Sequence, residues 1–392
     1  MFMGTATTSL RLSKIAPNLV QSEIRAMTME CDRVGGVNLA QGVCDTDLPA
    51  SVAEGAIEAI RAGLNIYTRL DGIAPLREAI ARKLKRDNQL TADPGSEILV
   101  TSGATAGFYA ACMALLDPGD EVILFEPFYG YHLNTLTALH INPVTVPLEL
   151  ADWNLDLDRL RAAITPRTRA ILVNSPSNPC GKVFSPQDLE AIAAIVEEHD
   201  LFLFTDEIYE YFVYDGTKHL SPATLPGMAE RTISISGLSK TFSITGWRIG
   251  YLTASARWLP SIAYFHDLTY VCAPSPFQYG AAAGLVELPE TFYTSLAEEY
   301  QSKRDLLCSA LSSAGLKPSV PAGAYYVLAD VSSLSGSSAR EKARTLLQER
   351  GVAAVAGTAF FHEGRGENLL RFCFAKRDEE LSRACGLLKA AL

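Results

Sequence analysis

From about residue 97 the chain alternates short apolar runs with longer stretches in which apolar residues recur every three or four positions. Short β-branched runs bounded by turn residues predict buried strands, and the longer periodic stretches predict amphipathic helices. Residues 97–101 read as a strand and 104–116 as a helix; Asp117-Pro-Gly-Asp120 then turns the chain into a second strand at 121–125. Further strands are expected at 168–173, 201–205, 231–236 and 247–253. Ser185-Pro186-Gln187-Asp188 predicts a helix start, with Ser185 as N-cap and Pro186 in the first turn, where its missing N–H costs nothing. That helix runs to about Asp200. Buried strands separated by helices imply an α/β fold, a mostly parallel sheet covered by helices on both faces.

After about residue 290 the pattern changes. A long amphipathic stretch, 290–315, precedes short strands around 324–329, 352–355 and 369–374, with a helix between Ser338 and Arg350 and a closing helix over 378–391. This reads as a smaller α+β domain. The expected division is a large domain at 46–288 and a small one at 289–392, which residues 1–45 join. Two uncharged stretches, 98–116 and 268–286, are long enough to be weighed as membrane spans. Thr101-Ser102-Gly103 breaks the first and Pro274 and Pro276 the second, so both read as buried core and no membrane is expected as a partner.

With 392 residues, 48% apolar and 20% charged, the composition is that of a globular chain with one large and one small domain, or two or three domains. The net charge of −10 without a basic cluster argues against nucleic acid and anionic membrane surfaces. Eight cysteines (Cys31, Cys44, Cys112, Cys180, Cys272, Cys308, Cys373 and Cys385) are scattered, with no C-x-x-C pair and no Cys/His ligand spacing. They read as reduced thiols of a cytoplasmic enzyme, and no protein-built metal site is expected. Residues 1–12 lack the apolar core of a secretory signal, so none is expected.

Several reactive-looking residues fall just after predicted strands: Ser102-Gly103-Ala104-Thr105, Asn174 to Asn178, Asp206 with Tyr209, and Lys240. In doubly wound sheets ligands bind outside the carboxyl ends of the strands, so these loops predict one shared site. Taken alone, each is more commonly a helix cap or a solvated loop residue. The strongest segment is 236–251. A lysine in a Ser/Gly loop between apolar strands is a candidate for a partly buried amine, whose lowered pKa suits Schiff-base chemistry; an isolated loop lysine is more often exposed. Gly181-Lys182 does not make a P-loop, because Pro176 stands where the first glycine is required. No G-x-G-x-x-G opens a helix after a strand, which weakens a nicotinamide dehydrogenase reading.

The segment Ser236-Gly-Leu-Ser-Lys240-Thr-Phe-Ser-Ile-Thr-Gly-Trp-Arg248-Ile-Gly-Tyr251 resembles the lysine segment of the fold-type I, pyridoxal-phosphate-dependent aminotransferases of class I/II. The resemblance extends, in the family's order, through Tyr67-Thr-Arg-Leu-Asp-Gly72, Glu126-Pro-Phe-Tyr129, Asn174-Ser-Pro-Ser-Asn178-Pro-Cys-Gly181, Thr205-Asp206-Glu-Ile-Tyr209 and Leu370-Arg371-Phe372. It implies pyridoxal 5'-phosphate as cofactor. Lys240 would bind it covalently and move the proton, and Asp206 would pair with the ring nitrogen. Tyr209 and Asn178 would bond the phenolic oxygen, and Tyr129 would stack on the ring. Ala104, Thr105 and Arg248 would hold the phosphate, while Arg371, Gly42 and Asn178 would hold the substrate α-carboxylate. Tyr67 would reach the neighbouring subunit's phosphate, which implies a homodimer.

Three positions depart from the family pattern. Gly237 stands where many relatives carry Ser, leaving Ser236 or Ser239 to supply the hydroxyl. Val43-Cys44-Asp45 replaces aromatic-Pro-Asp after Gly42. Thr105 stands where aspartate-specific relatives often carry lysine. The pattern is similar to the kynurenine, methionine and aromatic aminotransferases. It implies ping-pong transfer of the amino group of a neutral or aromatic L-amino acid to a 2-oxo acid. The rivals are a C–S β-lyase using the same cofactor and, in a different class, a non-catalytic regulator on the same fold. The latter is disfavoured by the presence of Lys240 and Asp206 and the absence of a basic DNA-binding segment before residue 40.

Overall fold

The apolar runs of the central chain assemble into one seven-stranded sheet. The structure, a computed structural model, describes residues 10–19, 23–150, 152–362 and 364–389. Residues 1–9, most of the stretch considered for a secretory signal, lie outside the described residues, as do 390–392 at the end of the expected closing helix.

Helix α1 (Glu23–Val34) and strand β1 (Val37–Asn38) come first, then α2 (Ala50–Arg61) and α3 (Ala74–Asp87). Strands and helices next alternate as β2 (Ile98–Thr101), α4 (Ala104–Leu115), β3 (Glu121–Glu126), α5 (Gly130–Ala138), β4 (Asn142–Pro147), α6 (Leu157–Ala162), β5 (Thr168–Asn174), α7 (Pro186–Glu198) and β6 (Phe202–Asp206). β7 (Thr232–Gly237), β8 (Gly250–Thr253), α8 (Leu259–Tyr270) and α9 (Ser275–Glu287) complete this unit. The strand order is β2-β8-β7-β6-β5-β3-β4, parallel except for β8, which runs against both its neighbours. Every residue of β2, β3, β7 and β8 is buried, as a sheet covered on both faces requires. The start of α7 is a capping box: Ser185 Oγ accepts from Asp188 N at 3.0 Å and Asp188 Oδ2 accepts from Ser185 N at 3.1 Å. Satisfying those helix-end donors contributes about 1 kcal/mol.

A second unit follows: α10 (Glu290–Ser313), β9 (Lys317–Ser319), β10 (Tyr326–Asp330), α11 (Ala339–Arg350), β11 (Val352–Ala353), β12 (Val355–Ala356), β13 (Leu369–Cys373) and α12 (Asp378–Lys389). Its antiparallel sheet has the order β12-β13-β10-β9. β1 pairs in parallel with β11, Val37 opposite Val352, and Arg340 and Arg344 of α11 pair with Glu23 and Glu30 of α1. The N-terminal elements therefore pack on this second unit.

Four details differ from the sequence reading. The strand expected at 247–253 begins only at Gly250, because Arg248 has φ +59°, a left-handed conformation that interrupts an extended run. The strand expected at 352–355 is split, and its halves join different sheets. β4 went unread because Pro143 and Pro147 bound it; it is an edge strand, where prolines are tolerated. The stretch 268–286 is not all core: Leu268, Tyr270, Val271 and Val286 are exposed on α8, α9 and the turn between. Among the described residues no helix is long and apolar enough to cross a membrane, and no cluster of His, Cys, Asp and Glu is arranged to hold a metal ion.

Candidate active site

Strands β3, β5, β6 and β7 are parallel, so their last residues, Glu126, Asn174, Asp206 and Gly237, bring the following loops to one edge of the sheet. β2, related through antiparallel β8, points the same way, and α4 starts at that edge. A cleft of about 280 Å³ opens there, lined by these loops, α1, β10 and β13. Gly42, Ala104, Thr105, Tyr129, Asn178, Asp206, Tyr209, Lys240, Arg248 and Arg371 all line it. Tyr67 does not. It sits on the loop between α2 and α3 and is 78% exposed.

Lys240 follows β7 by three residues, and its Nζ donates to the Gly42 carbonyl at 3.1 Å. Burial lowers its pKa below the ordinary lysine value; the thiols of Cys44 and Cys373 oppose that shift, and the guanidiniums of Arg248 and Arg371 add to it. The same carbonyl accepts from Tyr325 Oη at 3.2 Å. Position 42 admits only glycine, since a Cβ there would lie 1.8 Å from the Tyr326 hydroxyl.

Asp206 ends β6. Its Oδ1 accepts from Ile208 N at 3.3 Å, and its Oδ2 lies 3.0 Å from His132 Nε2 on α5. His132 was missed by the sequence reading. It is buried beside the rings of Phe108 and Tyr129, with centroids at 5.0 and 5.3 Å, and its Nδ1 has no hydrogen-bond partner among the described residues. The available signal was its position three residues after Tyr129, one helical turn on.

The turn after β5 is stitched to β6 by Asn174, whose Oδ1 accepts from Asn178 N at 2.8 Å and whose Nδ2 donates to Asp206 O at 3.0 Å. This leaves the Asn178 side chain to accept from Arg371 Nη1 at 2.9 Å. Arg371, on β13 and 1% exposed, also donates through Nη2 to Ala40 O at 2.7 Å and lies against the rings of Tyr326 and Phe360. Its Nε has no partner among the described residues. A buried guanidinium with an unused donor is costly unless an anion meets it, and its fork geometry suits a carboxylate.

Tyr209 Oη lies 3.1 Å from Tyr326 Oη, and burial pushes both phenols above the usual tyrosine range, so both keep their protons. Burial also raises Tyr129. At the start of α4, Gly103 (φ +84°) offers no side-chain cap, leaving the first-turn N–H groups of Ala104 and Thr105 for an anion. Arg248 rests its guanidinium against Gly103, where a Cβ would come within 2.3 Å of Nη2. Of the two serines flanking Gly237, Ser239 lines the cleft, whereas Ser236 Oγ donates to Glu210 Oε1 at 3.2 Å.

Comparison with known proteins matches residues 34–388 to the aminotransferase class I and II family. A probable N-succinyldiaminopimelate aminotransferase of Mycobacterium tuberculosis is 39% identical over 370 residues, covering 91% of this chain and 93% of its own length. The aromatic-amino-acid aminotransferase 2 of Thermococcus litoralis is 35% identical, with 97% of both chains covered. Among solved structures, N-succinyldiaminopimelate aminotransferase from M. tuberculosis superposes with a TM-score of 0.94 at 36% identity, covering 97% of this chain and 100% of that one.

Proposed function

The chain belongs to the class I and II aminotransferase family, and from that premise we propose which of its residues carry the reaction and which substrates they accept. It is a pyridoxal-phosphate-dependent aminotransferase, exchanging amino groups between amino acids and oxo acids. When bound, the cofactor supplies an electrophilic carbon for the amino group and a protonated ring that draws electrons from the substrate Cα. The donor set of the cleft fits that group: an uncapped helix start and a guanidinium for the phosphate, and a carboxylate for the ring nitrogen.

In this reading Ala104 and Thr105 N–H and Arg248 hold the phosphate, Asp206 the ring nitrogen with His132 behind it, and Tyr209 and Asn178 the phenolic oxygen. Tyr129 packs on the ring face. Arg371, with Asn178 and Gly42, binds the α-carboxylate and turns the Cα–H bond toward Lys240. Lys240 Nζ takes that proton, a task its lowered pKa favours, and returns one in the opposite half-reaction. The phenols of Tyr129 and Tyr326 and the ring of Phe108 line the cleft and support a neutral or aromatic amino donor, as does the aromatic relative, with a 2-oxo acid as acceptor in a ping-pong cycle.

The reading extends to a homodimer. Ile66 and Tyr67 are each 78% exposed, and their loop is tied to α9 by Ser275 Oγ to Leu64 O and by Gln278 Nε2 to Thr68 Oγ1. Exposed Tyr264, Leu268 and Tyr270 on α8, and Met113 on α4 packed against it, supply further apolar surface. It extends also to the cytoplasm, since all eight cysteines are unpaired. The domain limits are 46–288 and 289–392, with residues 1–45 joined to the latter; the β1–β11 pairing supports that joining.

The observation that carries the reading is Lys240, its pKa lowered by burial, facing the cleft that also holds Asp206 and Arg371. Purified protein loaded with cofactor should show a visible absorption band that suitable L-amino acids bleach and 2-oxo acids restore. Lys240→Ala should lose this cycle. A wild type whose band no L-amino acid alters, or a Lys240→Ala protein that cycles like wild type, refutes it.

A further inference from the structure

Four cationic side chains, Arg25, Lys240, Arg248 and Arg371, line the cleft, against one carboxylate, Asp206. The proposed function, on which this inference rests, occupies three of them: Lys240 with the cofactor, Arg248 with its phosphate and Arg371 with the substrate α-carboxylate. Arg25 has no such task. It lies in the first turns of α1, where Ile24, Arg25 and Thr28 all reach the cleft.

The rest of the helix is engaged. Glu23 and Glu30 pair with Arg340 and Arg344 of α11. Thr28 Oγ1 donates to Ile24 O at 2.9 Å and accepts from Asn38 Nδ2 at 3.2 Å. Arg25 is exposed and makes no hydrogen bond, ion pair or ring contact with another described residue. The helix is thus held along its other face while one unspent guanidinium stands over a cleft with surplus positive charge. Such a group attracts a planar anion. Thr105, which also lines the cleft, carries no charge.

We propose that Arg25 is a specificity-determining residue that binds the distal carboxylate of a short dicarboxylic 2-oxo acid or the corresponding amino acid, in the half-reaction opposite that of the neutral or aromatic donor. Being exposed, Arg25 also has room to withdraw when an uncharged side chain takes the same space.

The test uses the cofactor-loaded protein and two unreactive probes of equal chain length, glutarate and valerate, with binding measured by calorimetry. In wild type glutarate should bind about tenfold more tightly, an advantage of the size expected for one partly screened guanidinium. Arg25→Gln should bring the glutarate-to-valerate ratio to near one, and Arg25→Lys should restore part of it. The ratio of kcat/KM for 2-oxoglutarate over a monocarboxylic 2-oxo acid should fall in parallel. A wild type that does not prefer glutarate, or a preference that survives in Arg25→Gln, overturns the proposal. Calorimetry requires no turnover, so a failure of Arg25 is distinguishable from a failure of the aminotransferase reading, which appears as an absorption band indifferent to every amino acid.

Discussion

Replacing His132 by phenylalanine keeps a ring of similar volume between Phe108 and Tyr129 but removes the donor that faces Asp206 Oδ2 at 3.0 Å. The buried carboxylate would retain the Ile208 N–H at 3.3 Å on its other oxygen. A hydrogen bond to a charged group contributes roughly 1.5–3 kcal/mol. Because His132 Nδ1 has no partner among the described residues, its removal recovers part of that cost, and the lower end applies: about 1.5 kcal/mol in the cofactor-free protein. For a 392-residue chain this lowers Tm by about 2 °C. On the proposed assignment the ring nitrogen of the cofactor would offer Asp206 a replacement donor in the loaded protein, so the loss should shrink. The assay is differential scanning calorimetry of wild type and His132→Phe, each with and without cofactor, at one protein concentration. Loading should raise Tm more in the variant than in wild type. An equal loss in both forms would make His132 a packing residue only; no loss in the cofactor-free form would refute the hydrogen-bond reasoning altogether.

Two further outcomes are expected. His266 Nε2 accepts from Ser102 N at 3.0 Å, and burial pushes its pKa down to about 4 from 6.5. The unfolded chain therefore takes up a proton that the folded one refuses: this contribution is intact above about pH 6.5, and roughly 3 kcal/mol of stability is lost as pH falls toward 4. Denaturant titrations at pH 7 and pH 4 should show a smaller difference for His266→Gln than for wild type, and equal differences would refute this. The exposed Ile66–Tyr67 loop should bury on dimerisation, so sedimentation should give twice the chain mass for wild type and a weaker dimer for Tyr67→Asp; a monomeric wild type rules the homodimer out.

The large sheet was legible because its mostly buried strands read as short runs rich in apolar and β-branched residues between helical periods, as Ala170–Val173 and Thr232–Ile235 do. Lys240, Asp206 and Asn178 were legible because each lies just beyond such a run. His132 and Arg25 were not. His132 occupies a helix whose partner comes from a strand 74 positions away in sequence, and Arg25 sits among the polar residues that any surface helix carries. Their significance exists only in three dimensions. The stretch 268–286 misled for the opposite reason: absence of charge marks apolar surface without saying whether the chain itself covers it. Arg248 defeats strand prediction because its left-handed φ serves the placement of its guanidinium rather than the continuity of β8.

The Arg371 clamp bears on how the molecule is made. Ala40 and Arg371, which meet at 2.7 Å, are 331 positions apart, and the strand just before Ala40 finds its partner only at Val352. On a ribosome, which delivers the chain from its N-terminus, the large sheet can form while β1 still has no neighbour to pair with. The corner around Arg371, proposed to bind the carboxylate, is therefore completed after the scaffold that supports it. A chain made as far as the end of α9 owns Lys240 and Asp206 but not Arg371, so on the proposed assignment amino-acid recognition is acquired at the close of synthesis.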